Sequence, residues 1–342
     1  MELIKMKLSP NLSGAAFTII YFLLFISIAF ISRDVFTIII FTLGFVLAIN
    51  LIAKGLNRLK IPFKIAIIIS LIGSLFFLYL LLILLIPTVI KEISNFILFL
   101  NDFFQKEQWK ILLQNQPENI VNNIENFMNS LQPRIIELLS SFIELIPTYG
   151  QKVFTFLFFL TIGTIYSSFY FDYFKSKLQY LYPKSLRKTA NIFYNETFNQ
   201  IEHYVVATLF ASAFVGVSAF VAMSFLGIKY QLLLSFWAAV TNFIPVIGVV
   251  LEFIPMIIVG VSSGVSTMLI FLLIMSIIHG IAFIIFISIM KDYGRINPVI
   301  TIFSLLVLGS IISLTGALIA VPTAMIIKVF WQVYIKPELE RG

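Results

Sequence analysis

The chain has no cysteine, only two histidines and few charged residues. Without cysteine it can form no disulfide framework and no thiol chemistry. The two histidines, His203 and His279, are too few for a histidine-rich metal site. Charged residues make up 11% of the 342 residues, whereas 60% are hydrophobic and the mean hydropathy is +1.03. A soluble domain of this length needs far more polar surface, so the composition predicts an integral membrane protein.

Long apolar runs rich in Ile, Leu and Phe fill most of the chain. They do not alternate in polarity as barrel strands would, so they predict membrane helices. We expect an all-α, polytopic helical membrane protein with six to eight transmembrane segments, two of them Gly/Pro-broken or re-entrant. The candidate spans are Ala15–Ile31, Val35–Ala53, Ile65–Val89, Val153–Phe171, Val205–Leu226, Leu232–Val259, Val265–Met290 and Pro298–Trp331.

A long insert, residues 91–152, separates the third and fourth candidate spans. Its apolar residues recur at helical spacing, which is typical of amphipathic helices, and we expect Pro117, Pro133 and Pro147 to separate these helices. Packing against the membrane face or against a neighbouring subunit would bury their apolar sides. The predicted organisation has three parts: three membrane helices in residues 1–90, the insert in residues 91–152, and a transport core in residues 153–342. The core contains a cytoplasmic connector, 172–204, and two broken helices, 232–259 and 298–331.

The formal charge is +7. In a membrane protein, Lys and Arg mark loops that face the anionic cytoplasmic leaflet, so the expected partner is the lipid bilayer and not nucleic acid. Basic residues cluster before the first span, after the second, after the fourth and at the end of the chain. We therefore predict that both termini are cytoplasmic and that the insert lies outside.

Residues 242–255 read NFIPVIGVVLEFIP, an apolar stretch that contains helix breakers and an acid. Pro245 and Pro255, with Gly248 between them, predict a break or a hairpin within the membrane. A charged Glu252 would cost about 2.5–3.5 kcal/mol there, so it should face the protein interior, be protonated or serve function.

Residues 309–322, GSIISLTGALIAVP, have the same character, with Gly316 and Pro322 in the last apolar run. Paired interrupted segments indicate a transporter binding site, because broken helices expose backbone N–H and carbonyl groups. If both segments span, the chain crosses eight times; if both are re-entrant hairpins, it crosses six times. The termini lie on the same side in either case.

Five residues in or near the first broken segment are candidates for ion coupling, ligand binding or proton relay. Glu252 is the candidate coupling acid, because burial favours the neutral form of a carboxyl group and allows proton exchange. Thr241, Asn242 and the carbonyls around Pro245 are candidate ligands for a solute or a cation. His279 is a possible proton relay, although a lone intramembrane histidine more often makes a hydrogen bond between helices.

Several stretches resemble the autoinducer-2 exporter family of bacterial membrane proteins. They are FLFFLTIGTIYSSFYFDYFKSKLQYLYPKSLRKTAN, LGIKYQLLLSFWAAVTNFIPVIG with its following IP, NPVITIFSLL and LTGALIAVPTAMIIKV. Asn242, Pro245, Gly248, Pro255, Pro298, Gly316 and Pro322 match the family pattern.

This resemblance implies a secondary transporter of the bacterial inner membrane that forms a homo-oligomer, with a pentamer as one option. It also implies export of an autoinducer-2-like solute or sodium/proton antiport. No cofactor is expected beyond a coupling ion, H⁺ or Na⁺.

Other classes of protein remain as alternatives. A non-transporting membrane scaffold would act through the amphipathic insert. An enzyme is not expected, because convergent nucleophile, base or metal groups are missing from the pattern. No Walker sequence GxxxxGK[ST] is present, which argues against transport driven by ATP on this chain. The sequence does not separate a channel from a carrier.

Overall fold

The fold is a succession of α-helices. The computed structural model describes residues 10–113, 116–244, 247–290 and 298–340, with side chains except at 111–112, 142–150 and 298. No strand occurs in these ranges. The helices are α1 Pro10–Ile31, α2 Arg33–Arg58, α3 Phe63–Gln105, α4 Glu118–Lys177, α5 Arg187–Leu226, α6 Gln231–Thr241, α7 Ile247–Ser262, α8 Val265–Met290, α9 Pro298–Phe330 and, after a π-helical turn Trp331–Ile335, α10 Lys336–Leu339.

Seven helical stretches of the described residues are long and apolar enough to cross a membrane. They are Pro10–Ile31, Arg33–Arg58, Phe63–Gln105, Gln151–Leu181, Lys184–Leu226, Val265–Met290 and Val299–Leu339. The prediction of a polytopic helical membrane protein is therefore confirmed.

The segment predicted to be broken at residues 242–255 is a helical hairpin. Helix α6 has 11 residues and α7 has 16, so each is shorter than the about 20 residues that a membrane crossing needs. The two helices are each other's main packing partners. The candidate span Leu232–Val259 is thus two short antiparallel helices, as the hairpin alternative requires.

Helix α9 is also folded back on itself. Ser313 has φ 57° and ψ −136°, which no helix accommodates, and it divides α9 into two arms. A Cβ atom on Gly316 would overlap the carbonyl oxygen of Leu308, although these residues would lie about 12 Å apart in a straight helix. The first arm, 298–312, is shorter than a membrane crossing, whereas the second continues from residue 314 through the π-helical turn to Leu339. Helices α1 to α5 and α8 are the uninterrupted apolar helices of the described residues, and the choice between eight and six crossings stays a prediction.

The insert differs from its predicted form. Helix α3 continues past Pro87 to Gln105. Helix α4 passes through positions 133 and 147 in one run of 60 residues. The prediction that Pro133 and Pro147 separate helices is wrong, because each proline removes only one backbone hydrogen bond and the helix continues on both sides of it. Of the three prolines, only Pro117 lies at a helix start.

The described residues form two compact units. The first contains Met1–Leu75, Phe156–Ala207 and Ile287–Gly342, and the second contains Phe76–Thr155 and Thr208–Phe286. In the second unit, the apolar face of the insert, including Phe96, Leu100 and Phe103, joins one buried cluster with residues of α5 to α8. The amphipathic pattern of this part of α3 is explained by that packing, which supports the α6–α7 hairpin.

Candidate ion-coupling site

The second unit contains a buried carboxyl group next to an imidazole. Glu252 on α7 is completely buried, and its Oε1 lies 3.2 Å from Nε2 of His279 on α8. Among the residues that the structure describes, Oε2 of Glu252 has no hydrogen-bond partner. One carboxyl oxygen is therefore held by the imidazole, and the other is available for a proton or a cation.

His279 connects this buried carboxyl group to the outside of the unit. Its side chain is 18% exposed, whereas that of Glu252 is not exposed at all. The ring of Phe253 lies 5.9 Å from the imidazole, between centroids, and covers part of it. An imidazole can accept or donate a proton at either nitrogen, so the relay role of His279 is chemically possible and stays a prediction.

Backbone geometry at Pro255 explains how Glu252 is held. A proline at position 255 has no N–H for the carbonyl of Leu251, one turn earlier in α7. The indole Nε1–H of Trp237 on α6 donates to this carbonyl oxygen at 2.9 Å. The hydrogen bond lost in α7 is thus replaced by one between the two arms of the hairpin, at the residue next to Glu252.

Gly248 allows the two arms to approach closely. Gly248 is buried and is the second residue of α7. A Cβ atom there would overlap the carbonyl oxygen of Thr241 at the end of α6. Only glycine leaves room for this contact between backbones. The glycine of the NFIPVIG sequence therefore fixes the closed end of the hairpin.

The other end of α6 is held by an acid of the insert. Oε2 of Glu92 on α3 accepts a hydrogen bond from the backbone N–H of Leu233 at 2.7 Å, within the first turn of α6. A carboxylate is favoured there by the free N–H groups and by the helix dipole. The hydroxyl of Tyr230 donates to the carbonyl oxygen of Asn95 at 3.3 Å. Burial, followed by the nearby charge of Glu92, raises the pKa of Tyr230, so the phenol keeps its proton.

Most of the predicted site residues of this segment lie in the second unit. The hydroxyl of Thr241 donates to the carbonyl of Trp237 within α6 at 2.9 Å, which leaves its lone pairs free to accept. Asn242, half-buried, donates through Nδ2 to Oγ of Ser212 on α5 at 3.3 Å. Pro245 lies outside the described residues. Glu252 and His279, predicted as separate candidates, form one pair.

Gly316 and Pro322 belong to the first unit. Gly316 forms the backbone contact of the α9 hairpin, and Pro322 lies inside the second arm of α9. This geometry does not test their predicted role as ligands, which stays a prediction.

Two residues that hold the hairpin, Trp237 and Glu92, were not among the sequence-based candidates. Trp237 could have been found, because Pro255 leaves the carbonyl of residue 251 without its helical partner and an indole N–H nearby is a natural replacement. Glu92 has no comparable signal, since its contact with Leu233 joins residues that are 141 positions apart.

Comparison with known proteins agrees with this architecture. Residues 18–336 match the family described as "AI-2E family transporter". The chain belongs to this family. A "Putative transport protein" of Thermotoga maritima is 32% identical over 326 residues, which cover 95% of this chain and 96% of that protein. "Putative transport protein YrrI" of Bacillus subtilis is 25% identical over 167 residues, covering 48% of this chain and 47% of YrrI.

Membership of the AI-2E family establishes the general function. The protein is a multi-pass membrane transporter, and the family places it among transporters rather than enzymes. The resemblance found in the sequence motifs is thereby confirmed at the level of the family.

Proposed function

We propose that this AI-2E family protein is a proton-coupled secondary transporter of the bacterial inner membrane, with both termini cytoplasmic, and that Glu252 and His279 form its coupling site. The observation that carries the proposal is the buried carboxyl group of Glu252, with one oxygen on the imidazole and the other without a partner among the described residues.

The pair is suited to proton exchange for an electrostatic reason. A lone ionised carboxylate inside a membrane protein is strongly disfavoured, so Glu252 is stable either protonated or beside a protonated His279. Both forms hold one proton in the same hydrogen bond. Removal of that proton leaves an uncompensated charge, which a cation or a rearrangement of the hairpin must neutralise.

The hairpin provides the second half of the mechanism. The contacts of Trp237 and Gly248 join α6 to the part of α7 that carries Glu252. A change in the charge of Glu252 therefore acts on a backbone that is continuous with Thr241 and Asn242, whose side-chain oxygens can accept from a solute or bind a cation. The transported species is then a small polar solute, such as an autoinducer-2-like molecule, or sodium in exchange for protons.

The test uses purified protein in liposomes that contain a pH-sensitive dye, under imposed sodium and proton gradients. Wild type should move protons when a gradient is applied, and Glu252→Gln should lose this movement because the amide cannot exchange a proton. Glu137→Gln, at an exposed position of α4, is the matched control and should behave as wild type.

The outcomes separate the alternatives. If neither wild type nor variant moves protons under any gradient, proton coupling is wrong. If Glu252→Gln moves protons as wild type does, the coupling site is elsewhere. A scaffold function would be supported if Glu252→Gln kept the partner binding and activity of wild type in cells, and deletion of residues 101–133 abolished them.

A further inference from the structure

The first unit contains a group of buried hydroxyls that the proposed coupling site does not use. Thr42 on α2 and Thr164 and Ser168 on α4 are at least nine-tenths buried. In the part of the chain that the structure describes, none of their hydroxyl oxygens has a hydrogen-bond partner. We call these three residues the hydroxyl cluster of α2 and α4.

The three residues lie on two helices that pack against each other. Thr42 packs against Gly163, the neighbour of Thr164: a Cβ atom on Gly163 would lie 3.1 Å from Oγ1 of Thr42. Thr164 and Ser168 are four residues apart and therefore share one face of α4. One turn further, Phe171 packs against Val46 and Leu47 of α2, so the two helices remain in contact along this length.

The absence of hydrogen bonds is unusual for this type of residue in a membrane helix. Serine and threonine ordinarily donate to the carbonyl oxygen one turn earlier. Thr161, on the same helix, does so, because its hydroxyl donates to the carbonyl oxygen of Leu157 at 2.7 Å. A buried hydroxyl without any partner is strongly unfavourable, and native proteins satisfy such groups with ordered water or a ligand.

Further along α2 lies a polar group that reaches solvent. Lys54 and Asn50 both bind the buried carboxylate of Glu202 on α5, Lys54 at 2.7 Å to Oε2 and Asn50 at 3.0 Å to Oε1. The side chain of Lys54 is 41% exposed. The charge of Glu202 is compensated by Lys54, and the hydroxyl cluster of α2 and α4 is itself neutral. Such surroundings favour water over a bare cation, which prefers carboxylate or carbonyl oxygens.

We propose that Thr42, Thr164 and Ser168 form a water-binding site inside the first unit, and that the bound water exchanges with the aqueous phase. The site is independent of the Glu252–His279 pair. It supplies a hydrated interior position in a unit whose other buried clusters are mostly apolar.

The experiment exploits the absence of cysteine from the chain. Ser168→Cys introduces a single thiol of similar size, and its S–H infrared band has no background from the native protein. The rate at which this band converts to S–D after transfer to D₂O reports whether water reaches the position. Leu160→Cys, buried on the same face of α4, is the matched control.

We expect the thiol at position 168 to exchange at least tenfold faster than the thiol at position 160. Equal rates, whether fast or slow, would overturn the proposal, because they would show either a dry interior or unspecific opening of α4. Measuring exchange requires no transport, so this result is separate from the test of proton coupling.

A second measurement covers a failure of Ser168→Cys to fold. Thr164→Val keeps the shape of the side chain and removes the hydroxyl. At a hydrated site it should lower the melting temperature, since the bound water loses a partner. At a dry site it should raise the melting temperature, since an unsatisfied hydroxyl is removed, and that rise would contradict the proposal. Thr161→Val serves as the comparison, because its hydroxyl already has a partner.

Discussion

The indole nitrogen of Trp237 lies 2.9 Å from the carbonyl oxygen of Leu251 and donates a hydrogen bond to it. This is the carbonyl that would be bonded within α7 if residue 255 were not proline. The contact joins the two arms of the hairpin immediately before Glu252, so the proline of this segment has a structural consequence beyond a kink. It makes the position of the buried acid depend on α6.

Replacing Trp237 by Phe should destabilise the hairpin. The variant keeps an aromatic ring but leaves the carbonyl of Leu251 without its hydrogen-bond donor, a change of about 1–3 kcal/mol. We expect a lower melting temperature in detergent and weaker proton transport. Trp331→Phe, at an exposed position, should change neither. A Trp237→Phe protein with unaltered stability would show that the hydrogen bond does not hold the hairpin.

Gly248→Ala should disrupt the closed end of the hairpin. The added methyl group would overlap the backbone of Thr241, which cannot move aside as a flexible side chain could. Overpacking of this kind costs about 1–3 kcal/mol, and here it also displaces Glu252. Transport and melting temperature should both fall. Gly44→Ala, where a Cβ atom meets nothing within 4 Å, is the control, and equal behaviour of the two variants would refute the close approach.

Glu92→Ala should release the N-terminus of α6. The backbone N–H of Leu233 loses the carboxylate that caps it, at a cost of about 1 kcal/mol, typical for a helix cap. Hydrogen exchange of α6 amides, followed by mass spectrometry, should become faster in the first turn. Glu137→Ala on α4 should leave this exchange unchanged. If the α6 amides of Glu92→Ala exchanged at the wild-type rate, the cap would not be needed to hold the N-terminus of α6.

The orientation can be tested because the chain has no cysteine. Asn123→Cys, exposed on the insert, should react with a membrane-impermeant maleimide added to intact cells whose outer membrane has been permeabilised. Arg58→Cys, exposed at the C-terminal end of α2, should react only after the inner membrane is opened as well. The reverse pattern would invert the proposed topology.

Much of this fold could be predicted from local patterns. Long apolar runs predicted the spans, and the breakers near Gly248 and Gly316 predicted two interrupted segments, since both signals depend only on neighbouring residues. The continuity of α4 through Pro133 could not be predicted, because it depends on packing that offsets a local penalty.

The site was predictable only in part. The acid at position 252 and the histidine at 279 are each conspicuous in an apolar run, but their pairing joins residues 27 positions apart on two different helices. The cap from Glu92 joins even more distant positions. Hydrogen bonds of this kind follow from the tertiary arrangement, which spacing and composition do not specify.

The most direct test of proton exchange at Glu252 is infrared difference spectroscopy of the lipid-embedded protein before and after a proton gradient is imposed. Wild type should show a change in the carbonyl band of a carboxylic acid, and this change should be missing from Glu252→Gln. Identical difference spectra for wild type and Glu252→Gln would contradict the account, because they would show that Glu252 does not change its protonation.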